Sequence, residues 1–116
     1  MLPSNAYELL FLRALGLSVL VELIVLIAIA KIFKYEVEFL ILVLVGILAT
    51  TLTLPYLWFL LPAFIKSRLW YLLIGETSVV VIEALIFKLT LKISYKRAFL
   101  TSFACNAASF IVGLII

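Results

Sequence analysis

Four apolar stretches of membrane-crossing length, parted by three short charged links, leave this chain few ways to fold. They run over about Leu9–Ala30, Phe39–Leu61, Leu69–Leu91 and Ala98–Ile116. A membrane helix needs roughly twenty such residues. The links Lys31–Glu38, Lys66–Arg68 and Lys92–Arg97 are short enough to force neighbouring helices antiparallel. The expected class is all-α, a four-transmembrane-helix bundle. It forms a single domain over residues 1–116, with the lipid bilayer as its first partner.

Composition removes most other functions. Hydrophobic residues make up 68% of the chain and charged ones 13%, far from the balance of a water-soluble domain. His, Asp and Gln are absent, so no His-based triad, aspartyl dyad or His-containing metal cluster can form. The single cysteine, Cys105, has no partner for an internal disulfide and sits among small residues as a packed thiol. We expect no enzyme, no catalytic residue and no cofactor. The net charge of +3 does not point to nucleic acid, because the basic residues flank apolar segments instead of forming a patch.

That flanking pattern carries topology. Lys31, Lys34, Lys92, Lys96 and Arg97 belong to the first and third links, with Lys88 one turn inside; the other side has only Lys66 and Arg68, plus Arg13 within the first segment. The excess predicts a multi-pass protein of the cell membrane, links one and three cytoplasmic and both termini outside. Asn5-Ala-Tyr-Glu8 reads as a helix cap. The first segment is expected to be a span rather than a cleaved leader, since no basic stretch precedes it and no small-residue cleavage site follows. Pro55 predicts a kink in the second segment, with Thr50, Thr51 and Thr53 available to freed backbone groups.

Glutamates interrupt the apolar segments. A charge at the centre of a membrane helix costs about 2.5–3.5 kcal/mol on insertion scales, so Glu22, Glu76 and Glu83 need partners or a purpose. Counting about 1.5 Å of rise per residue puts Glu22, Glu83, Thr50 and Asn106 near one mid-depth level. Glu76 falls nearer the outer side, where Arg13 is a candidate ion-pair partner. Glu76, Glu83 and Thr90 share a stripe, as do Ser102, Asn106, Ser109 and Gly113. Small residues in such a stripe allow helices to approach closely.

The halves of the chain also echo each other. Val19-Leu-Val-Glu22 answers Val80-Val-Ile-Glu83, and Lys31 and Lys92 follow their glutamates at equal distance. Gly46, Thr50 and Thr53 answer Ser102, Asn106 and Ser109 after a slip in the first link. Two parallel two-helix repeats, or chance likeness among Leu/Val-rich helices, account for this.

The proton, ion or ligand-binding candidates are Glu22, Glu76, Glu83, Asn106, Thr50, Ser102 and Ser109. Three roles compete for them. They act as interhelical glue, as proton- or cation-coupling groups of a transporter or channel-type component, or as a mating surface for another membrane subunit. Four helices are few to enclose a path, so a homo-oligomer or membrane complex is expected. Glu22, Glu83 and Asn106 are hard oxygen ligands, but no spacing motif marks a metal site.

Glu76-Thr-Ser-Val-Val-Val-Ile-Glu83 followed by Ser102-Phe-Ala-Cys-Asn106-Ala-Ala-Ser109-Phe-Ile-Val-Gly113 resembles a group of small, uncharacterised four-helix membrane proteins of prokaryotes. Their pattern reads E-x6-E, then S-x3-N-x2-S-x3-G. The likeness covers the C-terminal forty or so residues, with a weaker echo at Thr50–Pro55. It implies that these polar positions form one unit and brings no activity with it. The small multidrug transporters share the helix number and one essential glutamate in the first helix, a part open to Glu22. Glu76 and Glu83 have no place in that pattern, and only the mechanistic analogy is kept.

Overall fold

The computed structural model describes residues 4–115, and these form helices and short links with no strand among them. Helix α1 spans Ser4–Ile32, α2 Phe39–Phe64, α3 Arg68–Leu91 and α4 Tyr95–Ile115. Helices α1 and α3 each lie against both α2 and α4, which closes an up-down-up-down ring. The molecule measures 50 × 24 × 23 Å, about as long as a bilayer with its headgroups is thick.

Helices α1, α2 and α4 are long and apolar enough to cross a membrane. They mark the chain as membrane-associated. Helix α3 has the length, 24 residues, but carries Arg68, Glu76, Glu83 and Lys88, and it does not join the other three on that measure. The third expected span is the member of the ring that carries two acids along its length. The bundle accommodates it by turning Glu83 wholly inward.

The ends differ from the sequence reading in small ways. Helix α1 begins at Ser4, which puts Asn5 inside the helix instead of before it; its side chain lies outside what is described. Ile116, the expected end of the fourth segment, also lies outside the described residues. Helix α1 closes through a bond from the Tyr35 N–H to the Ala30 carbonyl at 2.9 Å, with Lys34 left-handed at φ 56°. This is a Schellman closure with lysine where glycine is usual. Lys92 takes the same conformation after α3. Lys34 thus answers Lys92 structurally, whereas Lys31 remains inside the helix. At the start of α4, the Ser94 hydroxyl accepts from the Arg97 N–H at 3.2 Å, a side-chain cap.

Helix α2 is the irregular element. It is α-helical to Pro55, makes a π-turn over Tyr56–Leu60, and ends in one α-turn over Leu61–Phe64. The Leu61 N–H reaches back five residues to the Tyr56 carbonyl, so the Leu57 carbonyl loses its usual partner. The Trp58 carbonyl loses its own because residue 62 is proline and has no N–H. Both vacancies are filled from other helices. Tyr71 of α3 donates to the Leu57 carbonyl at 2.6 Å and Tyr7 of α1 to the Trp58 carbonyl at 2.6 Å. The threonines do something else, with Thr50 donating to the Gly46 carbonyl and Thr53 to that of Ala49.

Close packing rests on two of the four glycines. A Cβ at Gly46 would stand 2.6 Å from Leu23 Cδ2, and one at Gly75 would stand 2.9 Å from Leu57 Cδ2. Gly113, expected to bring helices together, has open space beside it.

Candidate functional site

Glu22 on α1 and Glu83 on α3 come from diagonally opposite helices and are neighbours in the buried interior. Glu22 keeps 6% of its surface exposed and Glu83 none. Two neighbouring carboxyl groups can bond to each other only when one of them holds a proton, since neither oxygen otherwise donates.

The other two helices supply the cradle. From α2, the Thr53 hydroxyl lies 2.8 Å from Glu83 Oε2, and Thr50 lines the same cavity as Glu22. From α4, Asn106 Nδ2 donates to Glu83 Oε1 at 3.2 Å and to the Ser102 carbonyl at 2.9 Å. Every helix of the ring thus reaches the acid pair. No fully enclosed side-chain polar atom among the described residues lacks a partner.

Beside the pair lies a cavity of about 340 Å³. Glu22, Thr50, Thr53 and Asn106 line its inner part, Ser18, Glu76, Val79 and Ser109 its middle, and Trp58, Tyr71, Gly113 and Leu114 its outer part. Those outer residues all lie toward the end of the bundle where α1 starts and α2 stops. Glu83 does not touch the cavity; Glu22 stands between. On the far side of the pair the core is apolar, formed by Leu26, Leu42, Val45, Ala49, Ala84, Phe87, Leu91 and Cys105. The acids sit at the floor of a one-ended vestibule.

No protein-family model, curated protein or solved structure matches this chain.

Of the residues singled out from sequence, Glu22, Glu83, Thr50 and Asn106 do come together. Glu76 lines the vestibule nearer its mouth. Ser102 has a packing role, its hydroxyl donating to the Val80 carbonyl at 2.7 Å. Ser109 pairs with Ser18 at 3.1 Å, away from the acids. The expected Arg13–Glu76 ion pair is not formed among the described residues. Arg13 is exposed, while Ala14, Ser18 and Glu22 face the cavity, and a step of one residue turns about 100° round a helix. Thr90 likewise leaves its stripe and is exposed, because the buried face of α3 follows the four-residue row Gly75, Val79, Glu83, Phe87 and Leu91, which turns about 40° round the helix at each step.

Thr53, Ser18 and Tyr71 are site residues that the sequence reading left out. Ser18 precedes Glu22 by one turn and Thr53 follows Thr50 by three, so helical spacing carried a signal for both. Tyr71 had none, since its role depends on the π-turn. Among the described residues, no three His, Cys, Asp or Glu side chains gather to hold a metal ion.

Proposed function

We propose that all four helices span the membrane and that the protein is a proton- or cation-coupled transporter or channel-type component. Glu22 and Glu83 exchange a proton against a charged ligand. The observation that carries this is the one-ended vestibule, with a carboxyl pair at its floor and an apolar plug beyond. A carrier must expose its binding group to one side at a time, and intramembrane carboxyls mark such paths. In this reading Glu22 meets the vestibule, Glu83 stores the proton behind it, and Thr53 and Asn106 hold Glu83 in place. The bias of Lys and Arg puts links one and three in the cytoplasm, so the vestibule faces outward.

The test is flux in proteoliposomes, screened for solute movement that carries protons. The Glu22→Gln and Glu83→Gln variants keep shape and hydrogen bonding but cannot titrate. Folded variants that lose proton coupling are expected. Undiminished coupled flux in the double variant would overturn the mechanism.

One observation favours a second reading, a structural subunit of a larger membrane complex: the acid cradle is satisfied from all four helices, as interhelical glue would be. That reading expects both glutamine variants to assemble and function as wild type does.

A further inference from the structure

A second cavity, also about 340 Å³, opens sideways between α3 and α4. Leu73, Phe103 and Phe110 give it walls that are exposed on the outer face of the bundle, the face turned to lipid. It lies against the vestibule, and Glu76, Asn106, Leu72 and Phe110 line both.

At the junction stand two polar groups with capacity to spare. Glu76 is half-buried, and its carboxyl has no hydrogen-bond partner among the described residues. Asn106 is more than nine-tenths buried. Its Nδ2 is engaged by Glu83 and Ser102, while its Oδ1 accepts nothing from the described residues. An Asn carbonyl oxygen has two lone pairs to offer, and this one is not fully enclosed but keeps surface open beside the groove that Asn106 lines. No basic side chain lines either cavity. This shared wall thus offers one carboxyl group and one neutral acceptor, inside apolar walls that reach the lipid.

We infer that this groove admits an apolar ammonium ion from the membrane, held by Glu76 through charge and by Asn106 Oδ1 through an N–H bond. The inference rests on the coupled-carrier reading and names its substrate class. A quaternary ammonium would satisfy the charge but leave Oδ1 empty, so the ligand is a protonated amine with at least one N–H.

The probe is a matched pair. N,N-dimethyl-1-naphthylmethylamine is protonated at neutral pH, and its N-methylated quaternary salt has the same body and charge without the N–H. Binding is measured by equilibrium dialysis against the protein in nanodiscs, with empty nanodiscs subtracted. Saturable binding of the amine is expected, about tenfold weaker for the quaternary salt, as one lost charge-assisted hydrogen bond implies. Glu76→Gln and Asn106→Leu should each weaken the amine at least as much. Leu73→Trp, at an exposed wall of the groove alone, should block the amine, whereas Gly113→Leu, which narrows the vestibule alone, should not. Equal binding of the two probes, or block by Gly113→Leu but not by Leu73→Trp, would overturn the inference. Amine binding that persists while Glu22→Gln, Glu83→Gln leaves proton-coupled flux intact would sink the carrier mechanism and spare the site. Proton-coupled flux of another solute, with no amine binding, would do the reverse.

Discussion

The Thr53 hydroxyl has one hydrogen and two close acceptors, the Ala49 carbonyl at 2.9 Å and Glu83 Oε2 at 2.8 Å, with the Thr50 carbonyl farther off at 3.5 Å. When Glu83 Oε2 carries a proton, it donates to Thr53, and the Thr53 hydrogen turns to Ala49. When it does not, Thr53 turns to Glu83. The hydroxyl is a two-position rotor that follows the carboxyl, which a methyl group cannot imitate. Thr53→Val should therefore lower thermal stability in detergent by about 1–2 kcal/mol, the upper range for interhelical hydrogen bonds in membranes, and Thr53→Ser should restore it. Equal stability of both variants would count against the bond. The glycines supply a second contrast at this scale. Gly46→Leu must displace Leu23 and Leu26, an overpacking cost on the order of 1–3 kcal/mol. Gly113→Leu enters open space and should leave the melting temperature unchanged while narrowing the vestibule. A melting temperature that falls as far for Gly113→Leu as for Gly46→Leu would contradict this packing.

At the scale of one element, α2 shows where sequence reasoning stops. Pro55 was legible as a break, because a missing N–H is a local property. The form of the break was not. A π-turn needs outside donors for the carbonyls it frees, and here these come from Tyr7 and Tyr71, 51 and 14 residues away from their acceptors in sequence. The acid pair was more readable, since helix spacing and equal depth bring Glu22, Glu83, Thr50 and Asn106 to one level. Arg13 failed as a partner because depth alone ignores rotation about the helix. The π-turn has a consequence open to measurement. Trp58 lacks an intrahelical donor only because residue 62 is proline, so Pro62→Ala supplies an N–H where Tyr7 now serves. Tyr7→Phe should cost about 1 kcal/mol in the native sequence and clearly less in the Pro62→Ala background. A double-mutant cycle by thermal unfolding reads the difference. Identical costs in both backgrounds would mean that Tyr7 does not fill the Pro62 vacancy.

For the whole molecule, the asymmetry along the bundle axis matters most. One half holds the vestibule, the aromatic cluster of Tyr7, Phe11, Trp58 and Phe59, and the π-turn. The other half holds the apolar plug, with links of Lys and Arg beyond it. Glu22, Thr50, Thr53, Glu83, Ser102 and Asn106 are all buried within a single chain, and all four of its helices line the vestibule. Water should enter from one end and stop at the acids. This can be tested with a Cys105→Ala background, which removes the native buried thiol, and single cysteines placed along the axis. Ser109→Cys lies on the vestibule wall and should react with a membrane-impermeant maleimide. Phe87→Cys lies in the plug, where the native side chain is 1% exposed, and should remain unlabelled until the protein is unfolded. Lys34→Cys and Ser67→Cys report the two ends, and the charge bias predicts labelling of Ser67→Cys from outside and Lys34→Cys only from the cytoplasm. The Ser109 position should then follow Ser67. Labelling of Ser109→Cys from the Lys34 side, or equal labelling of the Ser109 and Phe87 positions in the folded protein, would mean that the path is not closed where the plug stands.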